Sequence, residues 1–366
     1  VGLLDYYRQF EGLSEEEVNA GLRAEAEERR RKALTKVQTL DLSQTTWPEL
    51  PHPTIVNAIT FVARRGLHRY PHLRGSELRD VLAERHGVER DRLILGNGAA
   101  ELLSAATRAL IEPGQVLLTL WPSYPLFPLM ARRAHGRAIP VSGGVDELLQ
   151  AAHEQEGVRV VALASPNDPT GELLSPEELE RLLDGLPEGV AVLLDEALVE
   201  FADAPADASL RLLERHPQLL VFRSFSKAWG LAGLRIGYAI GAPGSGALLA
   251  ELEPDLGVSE ISQAGALEAL RKCASVLDRR VQAIRQERPR LTAELRARGF
   301  DVADSQANFL WAAHPSLDGA ELAARLERSG VLVAGGAALD APDRVRIALQ
   351  SPAASDRLLD ALDKAL

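Results

Sequence analysis

The sequence predicts an α/β fold built on a mostly parallel sheet, followed by a smaller α+β unit. Three observations carry this reading. Through the middle of the chain, short apolar runs rich in Val, Leu and Ile alternate with amphipathic helical stretches, the pattern of strands buried on both faces between covering helices. After about residue 252 that alternation gives way to a long helical stretch and then to closely spaced strands. The 366 residues, 46% hydrophobic and 25% charged, have the composition of a globular protein and the length of one large domain or two ordinary ones.

The elements follow in order. Residues 14–34 read as a charged helix with Ser14 as N-cap, inside an N-terminal arm of about 45 residues without strand pairing of its own. That arm is expected to pack with the smaller unit. RLILG (92–96), VLLTL (116–120), VVALAS (160–165), VAVLLDEA (190–197), LLVFRSF (219–225) and RIGYAIG (235–241) read as buried strands. Helical segments lie between them at 99–111, 175–186 and 207–214. Ser175, Pro176 and Glu178 form a capping box with proline at the first helical position. Residues 258–298 read as one long helix with a kink at Pro289 and a stop at Gly299. A strand within 300–313, a helix at 318–329, strands at VLVAG and RVRIAL and a final helix from about 352 complete the chain. The expected division is an arm at 1–45, a large domain at 46–252 and a small domain at 253–366.

Charge and composition exclude several classes. A net charge of −11 argues against nucleic acid as a partner. No run of 18 apolar residues offers a bilayer span, and the acidic N-terminal stretch does not fit a mitochondrial transit peptide, so a cytoplasmic location is the expectation. Cys273 is the one cysteine, which leaves no disulfide framework and no CxxC site. The P-loop, HExxH and GxSxG patterns are absent, and no metal site is expected. The basic side chains are uneven: five are lysine (Lys32, Lys36, Lys227, Lys272 and Lys364), so chemistry that needs an amine has few candidates.

Several strand ends carry residues with chemical potential. In LILGNGAAELL (93–103), Gly98, Ala99 and Ala100 open a helix whose free N–H groups offer an anion site, or simply an ordinary βα turn. SFSKAWGLAGLRIGY (224–238) brings Ser224, Ser226, Lys227 and Arg235 within twelve residues: hydroxyls and a guanidinium suit a phosphate, and an amine beside them suits a Schiff base to a phosphorylated aldehyde. Asp195 ends a strongly apolar strand, where a carboxylate either caps the strand or keeps a ring nitrogen protonated. SPNDPTG (165–171) is a tight turn after another strand. Tyr124 follows a strand end and can stack on an aromatic ligand or sit in the core. Arg346 alternates with Val345 and Ile347 and so points away from the apolar face of its strand.

Together these segments resemble the fold-type I pyridoxal-phosphate (PLP) enzymes, most closely the histidinol-phosphate aminotransferase-like branch of the class I/II aminotransferases, from about Asp41 to Ile347. The resemblance implies an aspartate aminotransferase-like fold with a large PLP-binding domain. It implies transfer of an amino group between an amino acid, or an amino alcohol phosphate, and a 2-oxo acid. It implies that Lys227 forms the Schiff base with PLP and moves protons at the substrate, that Asp195 pairs with the ring nitrogen and that Tyr124 stacks on the ring. Gly98, Ala99, Ala100, Ser224, Ser226 and Arg235 would hold the phosphate, joined by Tyr70 from a neighbouring subunit of a homodimer with shared sites. Arg346 would bind the substrate carboxylate, with Asn308 nearby. Three positions depart from the family. Asp168 stands where an asparagine donates to the cofactor's phenolic oxygen, and Leu198 where a tyrosine does the same. Asn167 is expected to take over as donor, unless that oxygen is left less stabilised. Ala334 stands where histidinol-phosphate aminotransferases carry a phosphate-binding arginine, which argues against histidinol phosphate as substrate. The resemblance leaves two rivals: a PLP decarboxylase resembling threonine-phosphate decarboxylase, and a PLP-binding regulatory protein, for which no helix-turn-helix segment is found.

Overall fold

The computed structural model describes residues 39–72 and 75–366. The helix read at 14–34 lies outside the described residues.

A seven-stranded sheet is built from β1 (Leu93–Gly96), β2 (Val116–Leu120), β3 (Arg137–Val141), β4 (Val158–Ala164), β5 (Ala191–Asp195), β6 (Leu219–Ser224) and β7 (Gly237–Gly241), in the spatial order β1-β7-β6-β5-β4-β2-β3. Each strand read from the sequence is present, with ends moved by a few residues. β7 alone runs against its neighbours, antiparallel to both β1 and β6. The cause is the link from β6 to β7. It contains one short 3-10 turn, Ala232–Leu234, rather than a crossover helix, so the chain turns back beside the strand it has just left. β3 is the strand that hydrophobic patterning did not reveal. It lies at the edge, is half exposed, and carries Pro140, which an edge position tolerates.

Both faces of the sheet are covered. Along β4, Val160 and Ala162 face a cluster formed with Leu102, Leu103 and Ala106 of α1 (Ala99–Leu110) and Phe127 and Met130 of α2 (Leu126–Arg133). The alternate residues Val161 and Leu163 are buried as well. Helix α3 (Pro176–Gly185) starts with the expected capping box: Ser175 Oγ accepts from the Glu178 N–H at 3.1 Å, and the Ser175 N–H donates to Glu178 Oε2 at 2.9 Å. The segment read as a helix at 207–214 is a 3-10 turn, Ser209–Glu214.

The long helix expected at 258–298 is two helices, α4 (Glu260–Lys272) and α5 (Ala274–Ala297). The break falls at Cys273, whose φ of −114° and ψ of 17° leave the helical range, and α5 runs on through Pro289. A second sheet follows from β8 (Asp301–Val302), β9 (Phe309–Ala313), β10 (Ala334–Gly335) and β11 (Arg344–Ala348), antiparallel in the order β10-β11-β9-β8. The extended segment after Asp41 joins this unit. Leu42 donates to Leu332 O at 2.8 Å and accepts from the Ala348 N–H at 2.9 Å. Among the described residues, no helix is long and apolar enough to cross a membrane.

One buried ion pair fixes the end of the large sheet. Arg223 of β6 donates from Nε and Nη2 to Glu196 Oε2 at 2.9 and 2.8 Å, and from Nη1 to Asp207 Oδ1 at 2.9 Å. Arg223 and Glu196 are 3% and 4% exposed, so removing one partner leaves the other charged and dry. Glu196→Gln is expected to lower the unfolding free energy by about 3 kcal/mol, read from urea denaturation. An unchanged midpoint would show that Asp207 alone satisfies Arg223.

Candidate active site

Five strand ends meet at one cavity. Its walls include Ala99, Ala100, Tyr124, Asp168, Asp195, Leu198, Ser224, Ser226, Lys227 and Arg235. β1, β2, β4, β5 and β6 all deliver their carboxyl ends here, the usual ligand position in an open α/β sheet. Because β7 is reversed, its amino end arrives at the same place and brings Arg235 with it.

One end of the cavity is an anion cradle. α1 begins at Gly98, whose φ of 91° belongs to the region that favours glycine. A Cβ at Gly98 would stand 2.5 Å from Arg235 Nη2, so only glycine lets the guanidinium lie over the helix start. Gly237 is equally constrained, since a Cβ there would meet the Ala99 nitrogen at 2.5 Å. Arg235 itself holds a left-handed backbone (φ 47°, ψ 62°), a strained conformation of the kind that clusters at ligand sites. Its Nη1 reaches Ser226 Oγ at 3.4 Å, and Ser224 Oγ accepts from the Ser226 N–H at 3.0 Å. Helix N–H groups, hydroxyls and a guanidinium suit a phosphate.

Lys227 sits between this cradle and two carboxylates. Burial holds its ammonium pKa below the ordinary lysine value, partly countered by Asp168. The group is therefore easier to deprotonate into a nucleophile at neutral pH. Its Nζ donates to Thr45 Oγ1. Asp195 closes β5 and accepts from the Ala197 N–H at 2.9 Å; burial pushes its pKa up to about 6. A carboxyl held in that state is short of a cationic partner, and a protonated ring nitrogen would supply one. Tyr124 packs edge-on against Phe127, with centroids 5.4 Å apart, and burial raises its phenol to about 12. With Ala164, Pro166 and Leu198 as further apolar wall, the residues present fit a flat, phosphorylated ring aldehyde.

Other expected residues stand elsewhere. Asn167 does not take over as a donor into the cavity. Its Oδ1 accepts from Ser123 Oγ at 2.7 Å, and its amide nitrogen donates to Pro122 O and Thr170 Oγ1, both at 2.9 Å. Asp168 does line the cavity, but its carboxylate is bonded to Arg346 Nη1. Arg346 lies behind it, with Nη2 on Ser43 O at 3.1 Å. Asn308 is buried, and its amide donates to Thr45 O at 3.0 Å rather than facing the cavity. Tyr70 is 82% exposed, outside the cavity of its own chain. Thr45 and Thr46 are the residues that sequence reading missed. They fall in QTTWPEL, which has no pattern of a site; Thr45 reaches Lys227, and Thr46 lines the cavity, only because the segment threads past the second sheet.

Comparison with known proteins places the chain in a family. Residues 38–362 match the model of aminotransferase class I and II, and the chain belongs to that family, whose members are PLP-dependent. An aromatic amino acid aminotransferase of Cutibacterium acnes is 34% identical over 89% of this chain and 92% of its own length. A histidinol-phosphate aminotransferase of Mesorhizobium japonicum is 35% identical over 86% of this chain and 87% of its own. The crystal structure of histidinol-phosphate aminotransferase from Sinorhizobium meliloti in complex with pyridoxal-5'-phosphate superposes with a TM-score of 0.80 at 27% identity, covering 90% of this chain and 91% of that one. The fold is the aspartate aminotransferase-like one, and the chain is an aminotransferase.

The raised Asp195 pKa has a consequence for the cofactor-free protein. A buried carboxyl that titrates near 6 when folded and near 3.8 when unfolded binds more protons in the folded state between those values. Its ionisation therefore lowers stability as pH rises through that window. Relative to Asp195→Asn, the cofactor-free protein should lose up to about 3 kcal/mol between pH 4 and pH 7. Urea unfolding of both proteins at the two pH values measures it, and a pH-independent difference would contradict the assignment.

Proposed function

We propose that this aminotransferase works through Lys227, Asp195, Tyr124 and the cradle of Gly98, Ala99, Ala100, Ser224, Ser226 and Arg235, on an amine substrate with an apolar side group. The single observation that carries the reading is the buried amine of Lys227 held between an anion cradle and two carboxylates.

When bound, PLP supplies an electron sink for the electron pair left as a bond breaks at the substrate's amino-bearing carbon. The chain's own residues do the rest. The cradle fixes the phosphate and so sets the reach of every other group. Asp195 would keep a proton on the ring nitrogen. Tyr124 would stack against the ring, and its raised pKa keeps its own proton in place. Lys227 would hold the cofactor at its aldehyde carbon and would move a proton at the substrate carbon. Leu198 and Ala164 keep water from that carbon.

The substrate reading follows from Ala334. It is the register partner of Arg346 across β10 and β11, so the two side chains share one face. With no cation at Ala334, a phosphate on the substrate lacks its expected partner. Of the relatives' named substrates, the aromatic side group of an aromatic amino acid fits this site better than the phosphate-bearing group of histidinol phosphate.

We also infer a homodimer. Phe61, Leu67 and Tyr70 are 58%, 73% and 82% exposed, an apolar and aromatic surface that a second copy would cover. The proposed division into a large domain at 46–252 and a small one at 253–366 is supported by the separation of the two sheets at 93–241 and 301–348.

Borohydride reduction of the PLP-loaded protein, followed by peptide mapping, tests the central role. A phosphopyridoxyl mass on Lys227 is expected, and Lys227→Ala should fold, bind PLP without fixing it and lose at least about 1,000-fold in turnover. An unlabelled Lys227 would overturn the proposal.

A further inference from the structure

The charges that line the cavity are Asp168, Asp195, Lys227 and Arg235. Arg235 belongs to the anion cradle and Lys227 is the reacting amine. What remains for a substrate to meet is carboxylate. Arg346, the next cation outward, does not line the cavity. Its side chain is 20% exposed and its guanidinium is engaged: Nη1 with Asp168, Nη2 with Ser43 O at 3.1 Å, and its face 5.5 Å from the Phe309 ring centroid. Its Nε is buried without a hydrogen-bond partner. Asp168 thus stands between the cavity and the Arg346 guanidinium, which could receive a substrate carboxylate, and fills that place with a carboxylate of its own. An entering α-carboxylate has to break this pair and meet a like charge. An entering amine without a carboxylate leaves the pair intact.

We propose that Asp168 is a specificity-determining residue: paired with Arg346, it closes the carboxylate receptor and turns the site toward primary amines that carry no carboxylate on the amino-bearing carbon. The inference rests on the PLP-dependent reading above. In the half-reaction concerned, the amine carbon is oxidised to an aldehyde or ketone, its nitrogen passes to the cofactor, and water supplies the carbonyl oxygen. Asparagine at 168 would keep the shape and one hydrogen bond to Arg346 but remove the charge, leaving the guanidinium open to a carboxylate.

The test uses the PLP-loaded protein and two compounds that differ only by a carboxylate, L-phenylalanine and phenethylamine. Single-turnover rates are followed by the cofactor spectrum in wild type, Asp168→Asn and Asp168→Ser. Both variants should raise the ratio of L-phenylalanine to phenethylamine rate constants by about tenfold or more, the worth of one charge-assisted contact. A second readout needs no turnover. Calorimetric binding of hydrocinnamate, a carboxylate without an amine, should tighten by about tenfold in both variants. A ratio that stays within about twofold, or wild-type hydrocinnamate binding as tight as in the variants, would overturn the proposal. Failure of borohydride to label Lys227 would instead overturn the cofactor assignment, and the hydrocinnamate comparison would still decide the role of Asp168.

Discussion

The parallel pairing of β5 with β6 is the constraint on which the site depends. Asp195 closes one strand and stands in register with Phe222 of the other, two residues before Ser224 closes that strand. The Glu196 N–H continues the ladder to Phe222 O at 2.8 Å, and the Glu196–Arg223 ion pair locks the same junction from the side chains. A slip of one residue would turn Asp195 to the opposite face of the sheet and carry Lys227 away from it. Asp195, Lys227 and the hydroxyls of Ser224 and Ser226 are thus positioned by backbone hydrogen bonds.

The energetic character of the site follows from placing charges where water is scarce. Burial raises Asp195 and lowers Lys227, so each is pushed toward its neutral form in the cofactor-free chain. A cofactor with a basic ring nitrogen and an electrophilic aldehyde satisfies both groups at once. Asp168 and Arg346 have no such need, because they satisfy each other. The two pairs therefore differ: Asp195 and Lys227 are each pushed toward neutrality, and Asp168 and Arg346 compensate each other.

Most of the large sheet was legible in the sequence, because a strand buried on both faces reads as an unbroken apolar run. The edge strand Arg137–Val141 was not, since half of it faces solvent and Pro140 masks its propensity. Pro289 drew attention as a helix breaker, yet the break at Cys273 has no such mark. In the site, the cradle residues and Lys227 were readable because they are close in sequence or sit at strand ends. Thr45 was not, because its contact with Lys227 spans 182 positions and depends on a segment with no periodicity. The engagement of Asn167 was equally hidden. Which of Asn167 and Asp168 faces the cavity is decided by Pro122, Ser123 and Thr170 around the turn, and spacing along the chain does not encode it.

The threading of residues 41–46 ties local unfolding to chemistry. Leu42 is bonded to Leu332 and Ala348, Ser43 to Arg346, and Thr45 to both Asn308 and Lys227. Fraying of this strap would strip Lys227 of its hydroxyl partner and Arg346 of its carbonyl in a single opening event. Amide hydrogen exchange at Leu42 and Ala348 therefore measures how often the Lys227 amine loses its setting, although neither residue touches the cavity.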